Sequence, residues 1–494
     1  MKALTLSGLS LAILAASVTA APWVDTADLY LRTDIQTLAD AGIITVPVNT
    51  YPLMWSGIGV DLGKAEPSLM TEAQAQAYAR VNFYYQQVLA NRGASRLRLS
   101  ATDDAARFQH FGSDYREKGE LGLSHEYLGS RFAFKLAATA TLDPQDDETL
   151  RADGSYLAMI AGNWVLTAGA LEQWWGPGFD TALHRSNNAR PMPALTLSRN
   201  NAAAFETPWL SWIGPWTLTT GVAWMNDDRA VEDALLWQFR GTLRPFKQLE
   251  IGTSWTTQLC GEGQPCGMNT FFKAISGGTE CVDGSDNCDP SQNTKIGNQM
   301  AGFDLRYADT WFNVPVGLYL ERTCEDSSGK MPWQLADCAN LVGVDSRFGG
   351  AGEQFKVFLE YSNTQVACGE NQNSFNCFYE HSTYLSGSRY QKRSLGSTYD
   401  SDAKVLVLGF IGQYGDSKGV NALLRYAKLN EDGSNRGGDW SPKPTKEELL
   451  MLELSYRQPA FKGMLTLGGS AGRSEFVSDS ETNAGVFGAY EYRF

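Results

Sequence analysis

The stretch Leu450-Met-Leu-Glu-Leu-Ser-Tyr-Arg457 alternates between apolar and polar side chains. Because successive side chains of a β-strand point to opposite faces, its even-numbered residues, three leucines and Tyr456, share one face. The odd-numbered residues place Glu453 and Arg457 on the other face. One apolar and one ionic face are typical of a membrane-spanning barrel strand with lipid outside and water inside.

The same period of two extends from about Arg96 to the C-terminus. It is clear in Phe303–Tyr307 and in Phe355–Tyr361, where charged residues alternate with aromatic and aliphatic ones. In the final stretch, Ala484–Phe494, aromatic residues occupy every second position from Tyr490 to the terminal Phe494. A strand that ends in this way resembles the assembly signal of outer-membrane barrels.

Short turns and longer connections alternate along residues 93–494, as expected of a barrel with short periplasmic turns and long extracellular loops. The predicted long connections include Thr102–Glu117, Gln365–Ser401 and Ser474–Thr482. Parity of strand direction requires one further downward strand that starts near Pro193. The sequence therefore predicts an all-β transmembrane barrel of about 18 antiparallel strands, a size at which the lumen is aqueous.

The N-terminus carries the features of an export signal. Lys2, the mostly apolar run Ala3–Ala16 and the small residues of Val18-Thr-Ala20 predict a signal peptide over residues 1–20. Beyond it, no run of 18 consecutive apolar residues offers a membrane-spanning helix. The net charge of −14 argues against nucleic acid as a partner. We expect export to the outer membrane, with the lipid bilayer as one partner.

Residues 21–92 have a helical period instead of an alternating one. Asp25 or Thr26 is suited to cap a first helix that ends at Gly42, and Thr71 with Gln74 has the spacing of a capping box that opens a second helix. We expect a small periplasmic helical domain that precedes the barrel.

All eight cysteines lie between positions 260 and 377. They form neighbouring couples, which are Cys260/Cys266, Cys281/Cys288, Cys324/Cys338 and Cys368/Cys377. Although eight cysteines permit 105 connectivities, short loop closure favours pairing within each couple. An exported chain without Cys-x2-Cys or histidine-rich spacing is expected to use them for disulfides on extracellular loops rather than for metal binding.

The densest group of recognition residues runs from Trp174 to Pro193. It begins Trp174-Trp-Gly-Pro-Gly-Phe-Asp180, where Gly-Pro-Gly forces a tight bend, and continues Arg185-Ser-Asn-Asn-Ala-Arg-Pro-Met-Pro193. Aromatic faces stack on sugar rings, amides bind hydroxyls and arginines bind carboxylates such as uronates. The candidate polysaccharide-binding residues are Trp174, Trp175, Asp180, Arg185, Asn187, Asn188 and Arg190. A structural plug or an aromatic girdle is the alternative interpretation.

This segment resembles the signature of the Wzi-type capsule assembly family, outer-membrane proteins that hold capsular polysaccharide on the cell surface. Trp-Trp-Gly-Pro-Gly and Asn-Ala-Arg-Pro-Met-Pro carry the resemblance, and the stretch Asp34–Ile44 is more weakly similar to the family's N-terminal helical segment. The resemblance implies that the chain binds capsular or exopolysaccharide and retains it at the surface. It also implies a polysaccharide export machinery as a candidate partner.

Two other functions are alternatives to retention. A barrel of this width would be a diffusion channel for oligosaccharides or anions unless something fills it. A hydrolase would need a nucleophile beside a base, and His184 between Asp180 and Ser186 is the formal option. That signal is weak, so no catalytic residue is expected.

No cofactor and no metal site is expected either. Asp283, Asp286 and Asp289 offer oxygens that resemble a calcium loop, but the terminal bidentate glutamate of an EF-hand is missing. A solvated loop is the preferred interpretation of this stretch.

Overall fold

A computed structural model describes residues 23–90, 94–275, 297–327, 335–350, 352–367, 375–434 and 445–494. The predicted signal peptide and the loop with Asp283, Asp286 and Asp289 lie outside these ranges. Within the described residues, eighteen antiparallel strands form a closed barrel, as predicted from the alternation.

The strands are β1 Ala94–Thr102, β2 Gly119–Leu128, β3 Phe132–Leu142, β4 in two pieces Leu150–Arg151 and Tyr156–Ala161, β5 Trp164–Gly169, β6 Ala194–Arg199, β7 Trp216–Met225, β8 Ala234–Phe246, β9 Leu249–Leu259, β10 Asn298–Trp311, β11 Val314–Ser327, β12 Leu335–Gly350, β13 Glu353–Asn363, β14 Ala403–Tyr414, β15 Gly419–Leu429, β16 Glu447–Ala460, β17 Gly463–Phe476 and β18 Ser480–Arg493.

Each strand pairs with its sequence neighbours, and β18 closes the barrel on β1 with Phe487 opposite Thr102. The downward strand that parity required near Pro193 is β6, which begins at Ala194. The predicted long connection Ser474–Thr482 is wrong, because β17 and β18 extend until only residues 477–479 remain between them. A continued ladder satisfies backbone groups that a long loop would leave to water.

The alternation of side chains has the predicted direction. On β16 the even-numbered residues from Leu450 to Tyr456 are exposed on the outer wall. On β13 the inward residues Lys356 and Glu360 are almost completely buried. The expected water-filled lumen is therefore wrong for this part of the barrel, because inserted chain rather than water surrounds these charges.

Part of the inserted chain comes from the N-terminal region, which contains α1 Leu29–Asp40, α2 Trp55–Lys64 and α3 Glu72–Leu89, with a 3₁₀ turn at Pro67–Leu69. A further short helix, α4 Met268–Ile275, follows β9. The capping box of Thr71 and Gln74 is confirmed. The cap of α1 is Asp28 instead of Asp25 or Thr26, because its carboxylate accepts from the backbone N–H groups of Tyr30 and Leu31.

Helix α1 lies inside the barrel at the end where the short turns are. Asp40 accepts from Arg306 at 2.8 Å and lies 2.8 Å from Arg347, both on the inner wall. At the other end of α1, Arg457 of β16 pairs with Asp28 at 3.2 Å. The region is thus joined to the wall by ion pairs, while its assignment to residues 21–92 and to the periplasm stays a prediction.

No helix among the described residues is both long enough and apolar enough to cross a membrane.

We predict that Asp40→Ala weakens the docking of α1. The substitution leaves two arginines that contacted one buried carboxylate short of a partner, and breaking a buried ion pair costs about 3–5 kcal/mol. The temperature at which the folded barrel unfolds on SDS gels should fall by about 5 °C or more.

Asp416→Ala is the matched control, because Asp416 pairs with Lys418 in an exposed turn between β14 and β15. Exposed ion pairs contribute little to stability, so this variant should unfold like the parent. Equal unfolding temperatures for both variants would contradict a structural role of the ion pairs that Asp40 forms with Arg306 and Arg347.

Candidate functional site

Two segments enter the lumen and meet there. The first is the stretch between α1 and α2, residues 41–54. The second is the lumen segment, residues 170–193, which connects β5 to β6. Trp174 and Trp175 pair with Tyr51 and Thr50 in a two-residue antiparallel ladder. The lumen segment also folds back on itself, since the N–H of Trp175 donates to the carbonyl of Arg185 at 2.9 Å.

Wall glutamates bind both inserted segments through their backbones. Glu250 of β9 accepts from two consecutive N–H groups, at positions 48 and 49, at 2.9 and 2.8 Å. Glu321 of β11 does the same at positions 183 and 184, at 2.8 and 2.9 Å. Glu360 of β13 accepts from positions 179 and 180 at 2.6 and 3.0 Å. Charge-assisted bonds of this kind are the strong ones, and they fix the inserted backbone against the wall.

Arg32 of α1 contacts the lumen segment and Phe111 of the β1–β2 connection. Its guanidinium lies 4.3 Å from the ring centroids of both Phe111 and Phe179 and 5.5 Å from that of Trp174. One of its amino groups donates to the carbonyl of Pro177 at 3.1 Å. Burial lowers the pKa of Arg32 to about 10, so the side chain remains a cation at neutral pH, held over aromatic faces.

The structure brings the predicted polysaccharide-binding residues together but buries all of them. Trp174 and Trp175 are 0% and 1% exposed. Asp180 accepts from Arg425 of β15 at 2.8 Å and from the hydroxyl of Tyr399 at 2.5 Å. Its carboxylate is therefore already occupied by protein donors.

The remaining predicted residues are occupied in the same way. Arg185 donates twice to the side-chain oxygen of Gln173, at 2.9 and 2.6 Å. The side-chain amides of Asn187 and Asn188 donate to the backbone carbonyls of residues 110 and 394, each at 2.9 Å. Arg190 donates to three carboxylates, which are Asp146, Glu148 and Asp153. In this arrangement they hold the lumen segment in place, as in the plug interpretation.

The space left beside Trp175 is small. A cavity of about 30 Å³ lies between the lumen segment and the wall formed by β5 to β8, next to Arg185 and Gln238. A volume of this size holds about two water molecules. It does not admit a sugar residue next to the tryptophans.

A second layer covers the lumen segment at the long-loop end. This outer segment, residues 375–402, precedes β14. Its Tyr379 hydroxyl donates to the carbonyl of Leu183, and the N–H of Ser186 donates to the carbonyl of Leu395 at 2.9 Å. The lumen segment therefore supports the loop surface above it.

Disulfides also lie at the long-loop end. Cys260–Cys266 and Cys324–Cys338 are both formed, as predicted. The predicted loop position is wrong for the second, because β11 and β12 extend past Cys324 and Cys338 and the disulfide crosses directly between these strands. Cys377 is disulfide-bonded as well. The remaining cysteines, Cys281, Cys288 and Cys368, lie outside the described residues, so the other two pairings stay predictions.

His184 and Ser186 do not form a nucleophile–base pair. The imidazole stacks on Trp175 with ring centroids 6.0 Å apart, and neither ring nitrogen has a hydrogen-bond partner in the described residues. Burial, and secondarily the charge of Arg185, lower the pKa of His184 to about 3. The Ser186 hydroxyl donates instead to the carbonyl of Gly396. The hydrolase alternative therefore lacks its geometry.

Sequence reasoning missed the residues that hold the site. Glu250, Glu321 and Glu360 occupy inward positions of strands, where a carboxylate is ordinary in a water-filled barrel. In the sequence these glutamates stand out only as charged residues on the inner face of a strand. Their role could not be predicted, because their partners lie up to 202 positions away in the chain.

The fold and this site define a class: a membrane β-barrel whose lumen is filled by its own N-terminal region and by a loop from its wall. The family model described as capsule assembly protein Wzi matches residues 89–485. The chain belongs to the Wzi capsule assembly family, and the predicted membership and outer-membrane barrel are confirmed.

Two relatives illustrate the similarity. A Klebsiella pneumoniae protein described as an uncharacterized 55.8 kDa protein in the cps region is 31% identical over 345 residues, which cover 69% of this chain and 65% of that protein. The solved structure of Escherichia coli Wzi is described as an outer-membrane protein involved in group 1 capsule assembly and as a carbohydrate-binding β-barrel. It matches with a TM-score of 0.80 at 26% identity, over 96% of this chain and 100% of that chain.

We predict that Glu360→Gln loosens the lumen segment. A glutamine replaces one accepting oxygen by a donor that faces another donor, and an unsatisfied buried group costs about 1–3 kcal/mol. The unfolding temperature on SDS gels should fall, and the lumen segment should be cut faster by added protease.

Glu353→Gln on the same strand is the control, because Glu353 is exposed at the start of β13. It should match the parent in both measurements. Identical protease sensitivity of the two variants would show that the Glu360 bonds do not hold the segment.

Proposed function

We propose that this chain binds capsular or exopolysaccharide on the extracellular side of the outer membrane and retains it at the cell surface. Family membership supports a role in capsule assembly, and the similar Escherichia coli protein is described as carbohydrate-binding. In this proposal the signal peptide directs export, the long loops face outward, and the polysaccharide export machinery delivers the polymer.

The observation that carries the proposal is the occupied lumen. Helix α1 is ion-paired to the wall at the short-turn end, and the lumen segment is bound by Glu321 and Glu360 further along. A polymer chain cannot thread through this packing, which supports binding at the loop surface. This favours retention over diffusion.

The buried tryptophans are assigned a supporting role. Trp174 and Trp175 lie beneath the outer segment and are closed off from a ligand at the surface. We propose that the lumen segment positions the loops that contact polymer. Direct contact through Trp174, Trp175, Asp180, Arg185, Asn187, Asn188 or Arg190 stays a prediction that would require the outer segment to open.

The test is the partition of polysaccharide between the cell surface and the medium. A deletion strain should still make polymer but shed it into the medium. A Trp174→Ala/Trp175→Ala variant should also shed polymer. Removing one buried tryptophan leaves a cavity that lowers the free energy of unfolding by about 3–5 kcal/mol, and here the cavities would lie under the outer segment and weaken its support. Correct barrel assembly is checked by the folded band on unheated gels.

Trp209→Ala is the control for tryptophan removal, because Trp209 is 73% exposed. It should retain polymer like the parent. Unchanged partition in the deletion strain would overturn the retention function. Shedding in the deletion strain alone would show that the loop surface works without the two tryptophans.

A planar-bilayer recording separates retention from the diffusion channel. The purified full chain should give no steady ionic current, because ion-paired chain fills the lumen. A steady current that saturates with oligosaccharide would replace the retention proposal by the channel.

A further inference from the structure

Two arginines at the long-loop end differ from the other cations described above. Arg116 lies in the connection between β1 and β2, and Arg393 lies in the outer segment. Both are partly exposed, and neither forms an ion pair with a described carboxylate. We propose that Arg116 and Arg393 form an anion site for the carboxylate of an acidic sugar, such as a uronate, in the retained polymer. This inference rests on the proposed function and names the chemistry of its ligand.

Backbone carbonyls position Arg116 without neutralising it. Its two terminal amino groups donate to the carbonyls of Asn187, at 2.6 Å, and Asn188. These contacts use two of the five N–H donors of a guanidinium. Its other three N–H donors have no acceptor within the described ranges of the chain, so they and the positive charge remain for a ligand.

Arg393 is held in the same manner from the other side. It donates to the carbonyls of Ala106, at 3.1 and 3.2 Å, and Arg107, at 2.7 Å, with a longer contact of 3.4 Å to the side-chain oxygen of Gln145. All of these acceptors are neutral, so the charge of Arg393 is not cancelled.

The two arginines are neighbours, because the backbone carbonyl of Arg116 accepts from the N–H of Ala106 at 2.8 Å and the carbonyl of Ala106 accepts from the guanidinium of Arg393. Arg393 precedes Ser394, whose carbonyl accepts from the side chain of Asn188, and the carbonyl of Asn188 accepts from Arg116. The two charges also act on each other: burial and then the proximity of Arg116 lower the pKa of Arg393 to about 9. Arg393 is therefore a cation at neutral pH.

The acidic side chains nearby have other partners. Glu117 and Asp146, which lie near Arg393, are each bound by Arg151, at 2.8 and 2.6 Å. Asp146 is shared with Arg190, at 2.7 Å. Glu120 accepts from the backbone N–H of Arg116 at 3.1 Å and leaves the guanidinium free of an ion pair.

A similar pairing removes the neighbouring arginine from the site. Arg107 is matched to Glu447 through two parallel hydrogen bonds. By contrast, Arg116 uses only one N–H of each amino group on carbonyls, so its planar donors can bind a sugar carboxylate bidentately, while Arg393 adds its charge and its Nε–H donor.

The position favours a polymer over a lipid headgroup. Arg116 contacts the lumen segment at residues 187 and 188, and Arg393 contacts the β1–β2 connection at residue 106, so the contacts of both within the described residues lie on connecting chain and not on the lipid-facing wall. An acidic saccharide above the loops reaches this place, whereas the phosphate of a lipopolysaccharide anchored outside the barrel lies across the wall.

The experiment is a calorimetric titration of the full chain in detergent micelles with hexagalacturonate and with its carboxyl-reduced, neutral counterpart. We expect Arg116→Gln and Arg393→Gln each to weaken hexagalacturonate binding about tenfold or more, since a hydrogen bond to a charged group contributes about that factor. Arg116→Lys should recover part of the affinity, because it keeps charge but loses the planar donors. The parent should bind the neutral counterpart much more weakly.

Arg473→Gln is the matched control, because Arg473 is exposed on β17 and paired with Glu475. It should bind like the parent, and all variants must show the folded band. No hexagalacturonate binding by the parent, or equal binding by the parent and both Gln variants, would overturn the site. Lipopolysaccharide micelles are titrated in parallel. If the two Gln variants lose binding to these micelles but bind hexagalacturonate like the parent, the site is overturned in favour of a lipid ligand.

This test and the partition test fail separately. If the deletion strain sheds polymer while the Gln variants bind hexagalacturonate normally, retention stands and the arginine site is overturned. If the variants lose binding while the deletion strain retains its polymer, the site stands as a saccharide site and the retention function is overturned.

Discussion

The charges on the inner wall of the barrel can be buried only because the inserted chain supplies partners for them. A buried carboxylate without donors is strongly unfavourable. Glu250, Glu321 and Glu360 solve this by each accepting two consecutive backbone N–H groups from chain in the lumen. The inserted backbone has the complementary need, because a segment without regular structure leaves its own N–H groups unpaired. The barrel wall and the inserted chain therefore stabilise each other.

The same requirement sorts the arginines. Arg306 pairs with Asp345 of the wall and Asp40 of α1. Arg425 pairs with Glu453 of the wall and Asp180 of the lumen segment, so both cations join the wall to the inserted chain. Arg32 is held by aromatic faces and carbonyls. A cation that is held by carbonyls alone, and still reaches solvent, remains available to a ligand. Arg393 is of this kind.

Filling the lumen moves recognition to the loops. An open barrel of eighteen strands conducts, and selectivity then lies in its lining. Here the lining is used for internal structure, and the layers above it, the lumen segment and the outer segment, are joined by hydrogen bonds such as that from Tyr379 to the carbonyl of Leu183. A surface built in this way is held from beneath, which suits the binding of a large polymer that stays outside.

The sequence by itself determined the barrel, its strand number, the position of β6 and two disulfides between neighbouring cysteines. These features depend on local signals: a period of two, turn residues and short loop closure. It also located the lumen segment as unusual, through Trp174-Trp-Gly-Pro-Gly. Only the tertiary structure decided that these side chains are buried and that Arg190 is matched by three carboxylates. The physical reason is that partners such as Glu360 and Phe179 are 181 residues apart, and no local pattern encodes which inward charge meets which inserted backbone.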